Sequence, residues 1–475
     1  MRADILPAQA TTVRRLWPAC AAAILFLLAL LLFSPGVAMY DTVRQYEQAL
    51  SGHYNDWHPP IMARLWSWLI PLGRGTEPML ALQLAGYWLG LGLLAQALGG
   101  RKAVAILALG ASPLFLGWQI VVLKDGQMAG ALLSALGLVA AWRLRGRPVP
   151  WWALGLVLLC LAYATLLRAN APFSTVPLAV LMLAPGKRLR IALPAILIGI
   201  AAVILVSQPV NHQLLEARDS GVSRSEAIFD LAAIAANSGD AAASGLTDAD
   251  VAVLRTHRCV KPLFWDPLFV REDCDNAVDA LDHMKSGPLY VLLAGAILRH
   301  PIAYATHRIA HLNATLRWLV PFRWPLAYPP AENEPNKVGL ADPPCCVILG
   351  WQIASAAMIE TPLGWPILWL MLGFWGLIVA SRAPPGPRRD LAFALLASAL
   401  CQEASFAILS LSSDLRYHLW AMLAVAIAWI LLWEARPTPR QSNVALAVLA
   451  LVALAGLGAR LSLPVPPWDY DQLVK

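Results

Sequence analysis

The run WPACAAAILFLLALLLFSPG, residues 17–36, is framed by Arg14-Arg15 before it and by Tyr40-Asp41 and Asp56-Trp57-His58-Pro59-Pro60 after it. Some twenty apolar residues are what the roughly 30 Å hydrocarbon core of a bilayer demands of a helix. The flanking charges add a direction: basic residues favour the cytoplasmic side, so the acids and the histidine emerge on the opposite one. Ionisable groups at a membrane edge are expensive to hold, which makes them candidates for function.

The rest of the chain repeats this pattern. Hydrophobic residues make up 59% of the 475 residues and charged residues 14%, with a mean hydropathy of +0.59. An ordinary soluble domain does not have that composition, and the length accommodates roughly ten spans of about 20 residues. Twenty Trp residues suit interfacial belts. The formal charge of +7 calls for no nucleic acid, because the basic residues gather in short loops between apolar runs. These clusters are Arg14-Arg15, Arg101-Lys102, Arg143 to Arg147, Lys187 to Arg190, Arg382 to Arg389 and Arg436 to Arg440.

Placing every cluster in the cytoplasm requires an even number of spans between neighbours. The apolar runs 17–36, 78–98, 103–123, 127–142, 150–167, 171–185, 190–210, 361–381, 391–411, 418–433 and 443–463 meet that requirement. The expectation is an all-α polytopic membrane protein of about 11 spans, with the N-terminus inside and the C-terminus outside. Residues 61–72 are too short and too polar to span and suit an interfacial amphipathic helix. Segments 288–298 and 346–359 fit either interfacial helices or an additional pair of spans. Arg14-Arg15, the apolar core and Ala38 also fit a cleavable signal peptide, although the run is long for one.

Three regions follow: an N-terminal transmembrane module over 1–210, a large hydrophilic loop region over 211–360 and a C-terminal transmembrane module over 361–475. In the loop region, the Ala-rich 226–243 and acid-rich 247–250 suggest short helices and the Pro-rich 321–344 an irregular path. Cys259 and Cys274 are expected to form a disulfide there, with Cys345 or Cys346 as alternative partners. Cys20, Cys160 and Cys401 lie in spans and read as core residues. His307 and His311 are four apart, with His300 nearby. Their neighbours Arg308 and Arg317 point to an interfacial helix with its polar face up rather than to a metal site.

Sorted by side, the unusual polar residues fall together. Asp41, Asp56, Trp57 and His58 follow span one; Lys124-Asp125 joins spans three and four; Arg168-Ala169-Asn170 ends span five; Asp414-Leu415-Arg416-Tyr417 precedes span ten. All of these lie on the outer face, as a site assembled from loops requires. Singly, each has a plain structural reading. Asp41 suits a helix cap, Lys124-Asp125 a solvated turn, Arg168 a residue snorkelling to lipid headgroups, and Asp414 with Arg416 a local ion pair.

Taken in order, the clusters resemble the GT-C superfamily of membrane glycosyltransferases. Among its members they are most similar to bacterial relatives of protein O-mannosyltransferases and lipid A aminoarabinose transferases. Asp41 sits where that family carries a catalytic carboxylate just after the first span. Asp56-Trp57-His58-Pro59-Pro60 resembles its His-Pro-Pro entry to an interfacial helix, and Asp125 its second acid. Arg168-Ala169-Asn170 and Asp414 to Tyr417 resemble its later polar motifs. Many relatives pair two acids in the first loop, where this chain has Thr42 after Asp41, which weakens the case for a bound divalent metal. The resemblance implies transfer of a sugar from a polyprenyl-phosphate carrier to a lipid, glycan or protein acceptor, at the periplasmic face of a bacterial inner membrane. Asp41 would be the general base, with Asp125 and His58 assisting in the catalytic set. Lys124, Arg168, Asn170, Asp414, Arg416, Tyr417, Trp57 and Asp56 would bind substrate. A single inverting displacement is expected, since no covalent nucleophile is evident.

Two other classes fit a many-span scaffold: an O-antigen polymerase or ligase, and a flippase or transporter of lipid-linked glycans. A transporter carries polar groups at the bilayer midplane, whereas the spans here are nearly free of charge between their ends. Glu403 is the main exception.

Overall fold

The computed structural model describes residues 6–186, 189–343, 345–435 and 437–475. Lys187, Arg188 and Arg436 of the basic clusters lie outside the described residues, as do the side chains of Arg14, Arg15 and Cys345. The chain is helical. Among the described residues the only β pairing consists of three isolated bridges.

Each of the eleven apolar runs is helix, but they differ in reach. Leu16–Phe33, Glu77–Leu98, Arg190–Leu214, Pro387–Leu409 and Pro439–Ser462 are long and apolar enough to cross a membrane. Two bent pairs raise that number to seven if each is one span: Gly100–Gly110 with Pro113–Ile120, and Ser286–Arg299 with Pro301–Thr315. The bends are 49° and 104°, and each has a proline behind it. The residue before a proline is pushed out of the helical region; Ser112 has ψ 140° and His300 φ −128°, ψ 57°. Other apolar helices are shorter. Trp151–Leu166 has 16 residues and Pro172–Leu183 has 12, which at about 1.5 Å per residue do not span the core unaided. Among the described residues the molecule therefore has five to seven helices or bent pairs long and apolar enough to cross a membrane, the make-up of a helical membrane protein.

The tightest packing joins Glu77–Leu98 to Lys124–Arg143. Gly86 and Gly90 face Gly130, Leu133 and Gly137. A Cβ on Gly86 would stand 3.3 Å from the Gly130 carbonyl carbon, and one on Gly90 2.2 Å from that of Leu133. Small residues spaced by four let helix backbones meet in this way. Gln83 clamps the end of the pair, donating through Nε2 to the carbonyls of Gln119 and Val121 at 3.0 and 2.8 Å. That places Lys124 and Asp125 in the first turn of their helix. Pro387–Leu409 packs against Pro172–Leu183 and Leu419–Leu431. Ser398 ties the three together, donating to the Ser174 carbonyl at 2.7 Å and accepting from Trp420 Nε1 at 2.9 Å.

A second core lies between the two apolar modules. Val222–Ser238 is buried by Asp248–Thr256, Glu272–Asp282 and Ser286–Arg299, and Cys259 is disulfide-bonded to Cys274 with Cα atoms 5.6 Å apart. Thr247 and Asp250 form a capping box at the start of Asp248–Thr256. Residues 321–344 contain no helix among the described residues.

Three expectations change. Arg308 and Arg317 do not point up to solvent; they are 5% and 0% exposed. Arg308 donates to Glu226, Asp230 and the Ser410 carbonyl at 2.9, 2.6 and 2.8 Å, and these partners compensate its buried charge. His307 faces Asp230 at 3.3 Å and His311 Nδ1 contacts the Pro262 carbonyl at 2.7 Å, so both belong to this inner network. Cys20 is exposed on its helix rather than in the core. The acidic loop after the first span is not a loop either: Tyr40–Ser51 is a helix, closed at Gly52 with φ +70°.

Candidate functional site

Helix Tyr40–Ser51 is set in place by Thr42. Its hydroxyl accepts from the Met39 amide at 3.1 Å and donates to the Val122 carbonyl at 2.6 Å. Two backbone contacts fix Ala38, two residues before the helix. The Ala38 amide donates to Asn333 Oδ1 at 2.7 Å and the Ala38 carbonyl accepts from the Glu334 amide at 2.8 Å. Asp41 thus sits in the first helical turn, where the helix dipole favours a carboxylate. It does not cap the helix; its side chain turns to groups from distant segments.

Asp41 Oδ2 lies 3.2 Å from Arg416 Nη1 and 3.3 Å from Lys124 Nζ, and Oδ1 lies 3.7 Å from His58 Nε2. Lys124 Nζ also contacts His58 Nδ1 at 2.8 Å. An ammonium can only donate, so Nδ1 accepts and Nε2 carries the proton that faces Asp41. Burial by itself pushes the Asp41 carboxyl up, but the Arg416 guanidinium and the Lys124 ammonium outweigh it and hold the group well below the usual carboxylate range. Burial, reinforced by the adjacent Lys124 charge, pushes the His58 imidazole down to about 3. At neutral pH the centre therefore holds an ionised aspartate and a neutral histidine.

A second set adjoins the first. Arg168 pairs with the buried Asp125 and donates through Nε to Asn170 Oδ1 at 3.1 Å. Its guanidinium lies 4.0 Å from the centroid of the Tyr417 ring, and that of Arg416 lies 5.4 Å away. Arg416 Nε is 3.3 Å from Asp414 Oδ1, while Asp414 Oδ2 accepts from Ser412 Oγ at 2.8 Å. Tyr417 links the two sets, its ring near both guanidiniums. Three cations, three carboxylates and a neutral histidine from four separate stretches of chain thus share one buried centre.

Asp56 is not brought into this centre. Its carboxylate accepts from the Ser220 amide and hydroxyl at 2.7 and 2.6 Å and lies 3.5 Å from His212 Nε2. It fastens the Asn55–Trp57 stretch to the Arg218–Ser220 strand-like segment instead. Trp57 is at the rim, packed on Trp265. Asp41, Asp125 and Asp414 each already face a cation. Among the described residues no three His, Cys, Asp or Glu side chains converge as a metal site requires.

Several contributors lie outside the expected site set, although Glu403 stands out in the sequence as the charged exception within the spans. Gln402 Nε2 donates to the Tyr417 carbonyl at 2.7 Å, and both Glu403 oxygens lie 2.9 Å from His418 Nδ1. Two consecutive residues of the Pro387–Leu409 helix thereby hold the Leu415–His418 turn. A glutamine and a glutamate side by side in an apolar run were the available signal, since polar groups at that depth need partners. Ser412 and Asn333 gave no such signal. No protein-family model matches the chain, and no curated protein matches it.

Proposed function

We propose that this protein is a membrane glycosyltransferase that moves a sugar from a polyprenyl-phosphate carrier to a hydroxyl acceptor by inverting displacement. This reading includes the finer membrane topology: eleven spans, the N-terminus in the cytoplasm and the polar centre at the periplasmic face of the bacterial inner membrane. The observation that carries it is the convergence of Arg416 and Lys124 on one oxygen of Asp41, with a neutral histidine at the other. Those contacts of 3.2 and 3.3 Å are longer than the ~2.7–2.9 Å of a committed charge-assisted bond. Lys124 also holds His58 and Arg416 also faces Asp414, so a donor phosphate would share these cations with their present partners.

The chemistry then runs as follows. The acceptor oxygen attacks the anomeric carbon as the bond from that carbon to the phosphate oxygen breaks. The acceptor proton passes to Asp41, and polyprenyl phosphate departs with one more negative charge than the phosphodiester carried. Arg416 and Lys124 lie where that charge develops, which is the placement that stabilises a transition state. Drawing them toward phosphate also lifts their hold on Asp41, so donor binding makes the carboxylate a better base. His58 orients Lys124, and its Nε2 stands 3.7 Å from the carboxylate. Arg168, held by Asp125 and Asn170, supports the Tyr417 ring and extends the positive wall.

The transporter reading draws on one observation, the buried Glu403–His418 pair inside the bundle. Each member is the other's partner and holds the Arg416-bearing turn, which accounts for the pair without a translocation path. The test is to reconstitute the protein with a panel of undecaprenyl-phosphate sugars and measure release of undecaprenyl phosphate. Donor consumption supports the transferase. Movement of intact donor across the membrane without consumption sinks it in favour of transport.

A further inference from the structure

The rim above Asp41 is made of side chains that the proposed chemistry leaves unused. Trp57, 39% exposed, packs on Trp265 with ring centroids 5.4 Å apart, and Trp265 rests on Phe269 at 4.3 Å. The next residue, Asp266, accepts through Oδ2 from the Tyr470 hydroxyl at 2.7 Å. This edge is held in register with the polar centre. The Trp265 amide donates to the Leu411 carbonyl at 3.0 Å and the Ser413 amide to the Leu263 carbonyl at 2.9 Å, one residue before Asp414. Burial raises the Asp266 carboxyl, as do the charges of Asp414 and Asp41, and on the other side of the edge Trp57 directly precedes His58 of the polar centre.

The chemistry of this set is specific. Indole faces accept the apolar C–H face of a pyranose ring, and a carboxylate beside them accepts from its hydroxyls. The set carries one negative charge and no positive one, which disfavours phosphate or a carboxylated sugar. It lies on Trp57 of the N-terminal module, the polar insert and the C-terminal tail, whereas of the cations that suit donor phosphate Lys124 opens the Lys124–Arg143 helix and Arg416 lies in the Leu415–His418 turn. We propose that Trp57, Trp265, Asp266 and Tyr470 form an acceptor subsite for a neutral pyranose, so that the acceptor is a glycan presenting its hydroxyl to Asp41. The assignment rests on the transferase reading and adds the acceptor's class.

The test has two arms on the full chain in lipid nanodiscs. In the first, saturation-transfer NMR follows maltose, cellobiose, mannobiose and methyl α-L-rhamnopyranoside. At least one is expected to bind, with binding weakened about tenfold by the near-isosteric Asp266→Asn, the loss of one charge-assisted contact, and by a similar factor by Trp265→Ala, the loss of a stacking face. Trp151→Ala, which removes a more exposed indole that the proposed topology puts on the opposite side of the membrane, is expected to leave binding unchanged. Absence of binding for all four sugars, or unaltered binding in Asp266→Asn and Trp265→Ala, overturns the subsite. The second arm measures undecaprenyl phosphate release from the donor panel. Donor consumption without sugar binding removes the subsite alone. Sugar binding mapped to Trp265 and Asp266 without donor consumption removes the transferase reading and keeps the sugar site.

Discussion

At the residue scale, the centre depends on charges held in a dry place by geometry. Arg416 reaches Asp41, Asp414 and the Tyr417 ring at once, a task that needs a planar fork. Lysine has one point of charge and no fork. Arg416→Lys is therefore expected to lower kcat by about a hundredfold, read from initial rates of donor consumption in proteoliposomes. His58 yields a pH prediction with a definite sign. Its folded pKa lies below its unfolded one, about 3 against 6.5, so between those values the unfolded chain binds the extra proton. The stability contributed by the neutral imidazole is complete above pH 6.5 and is lost as pH falls toward 3. The difference in melting temperature between wild type and His58→Asn in detergent should thus change on acidification below pH 6.5 and stay flat above it. A flat difference throughout would show that His58 titrates normally.

Residues in the sequence announced the centre unevenly. Asp41, His58, Lys124, Asp125, Arg168, Asn170, Asp414, Arg416 and Tyr417 were legible because each is a polar interruption at the end of an apolar run. Asp56 looked the same on that criterion, yet its carboxylate serves Ser220. Which acid turns toward the centre is decided by tertiary contacts that no local pattern encodes. Thr42 shows the reverse case. It reads as the missing second acid of a pair, but its hydroxyl donates to a buried carbonyl. A carboxylate there would set two acceptors against each other, so the local backbone calls for a hydroxyl.

At the element scale, the contact between Glu77–Leu98 and Lys124–Arg143 positions half of the centre. The Gly86 and Gly90 spacing that permits it is visible in the sequence, whereas its partner on the second helix is not. Gly90→Ala places a methyl group within 2.2 Å of a backbone carbon. Overpacking of this kind costs about 1–3 kcal/mol. A lower melting temperature and reduced donor consumption are expected together, because Lys124 moves with its helix. Wild-type melting in this variant would mean that the helices separate freely there. Helix lengths were less legible than helix positions. Each apolar run is helical, but proline at residues 113 and 301 breaks continuity, and a hydropathy pattern does not report the angle of a bend.

At the scale of the whole molecule, two apolar modules hold a polar insert whose edge reaches the centre through the Leu263–Trp265 and Leu411–Ser413 pairing. The proposed topology places that insert and the Tyr40–Ser51 helix on one side and the loop at Arg147 on the other. With the cysteines outside the disulfide replaced, Ser51→Cys and Asp248→Cys should react with a membrane-impermeant maleimide on intact spheroplasts, and Arg147→Cys should not. Labelling of Arg147→Cys alone would invert the map.

The central claim is that Asp41 is the base in sugar transfer, and single-turnover kinetics address it most directly. Protein in proteoliposomes is loaded with radiolabelled undecaprenyl-phosphate sugar and mixed with acceptor. Asp41→Asn is predicted to bind donor within a few-fold of wild type and to slow the transfer step by about a thousandfold. Transfer by Asp41→Asn at the wild-type rate, with donor bound equally well, would contradict the account.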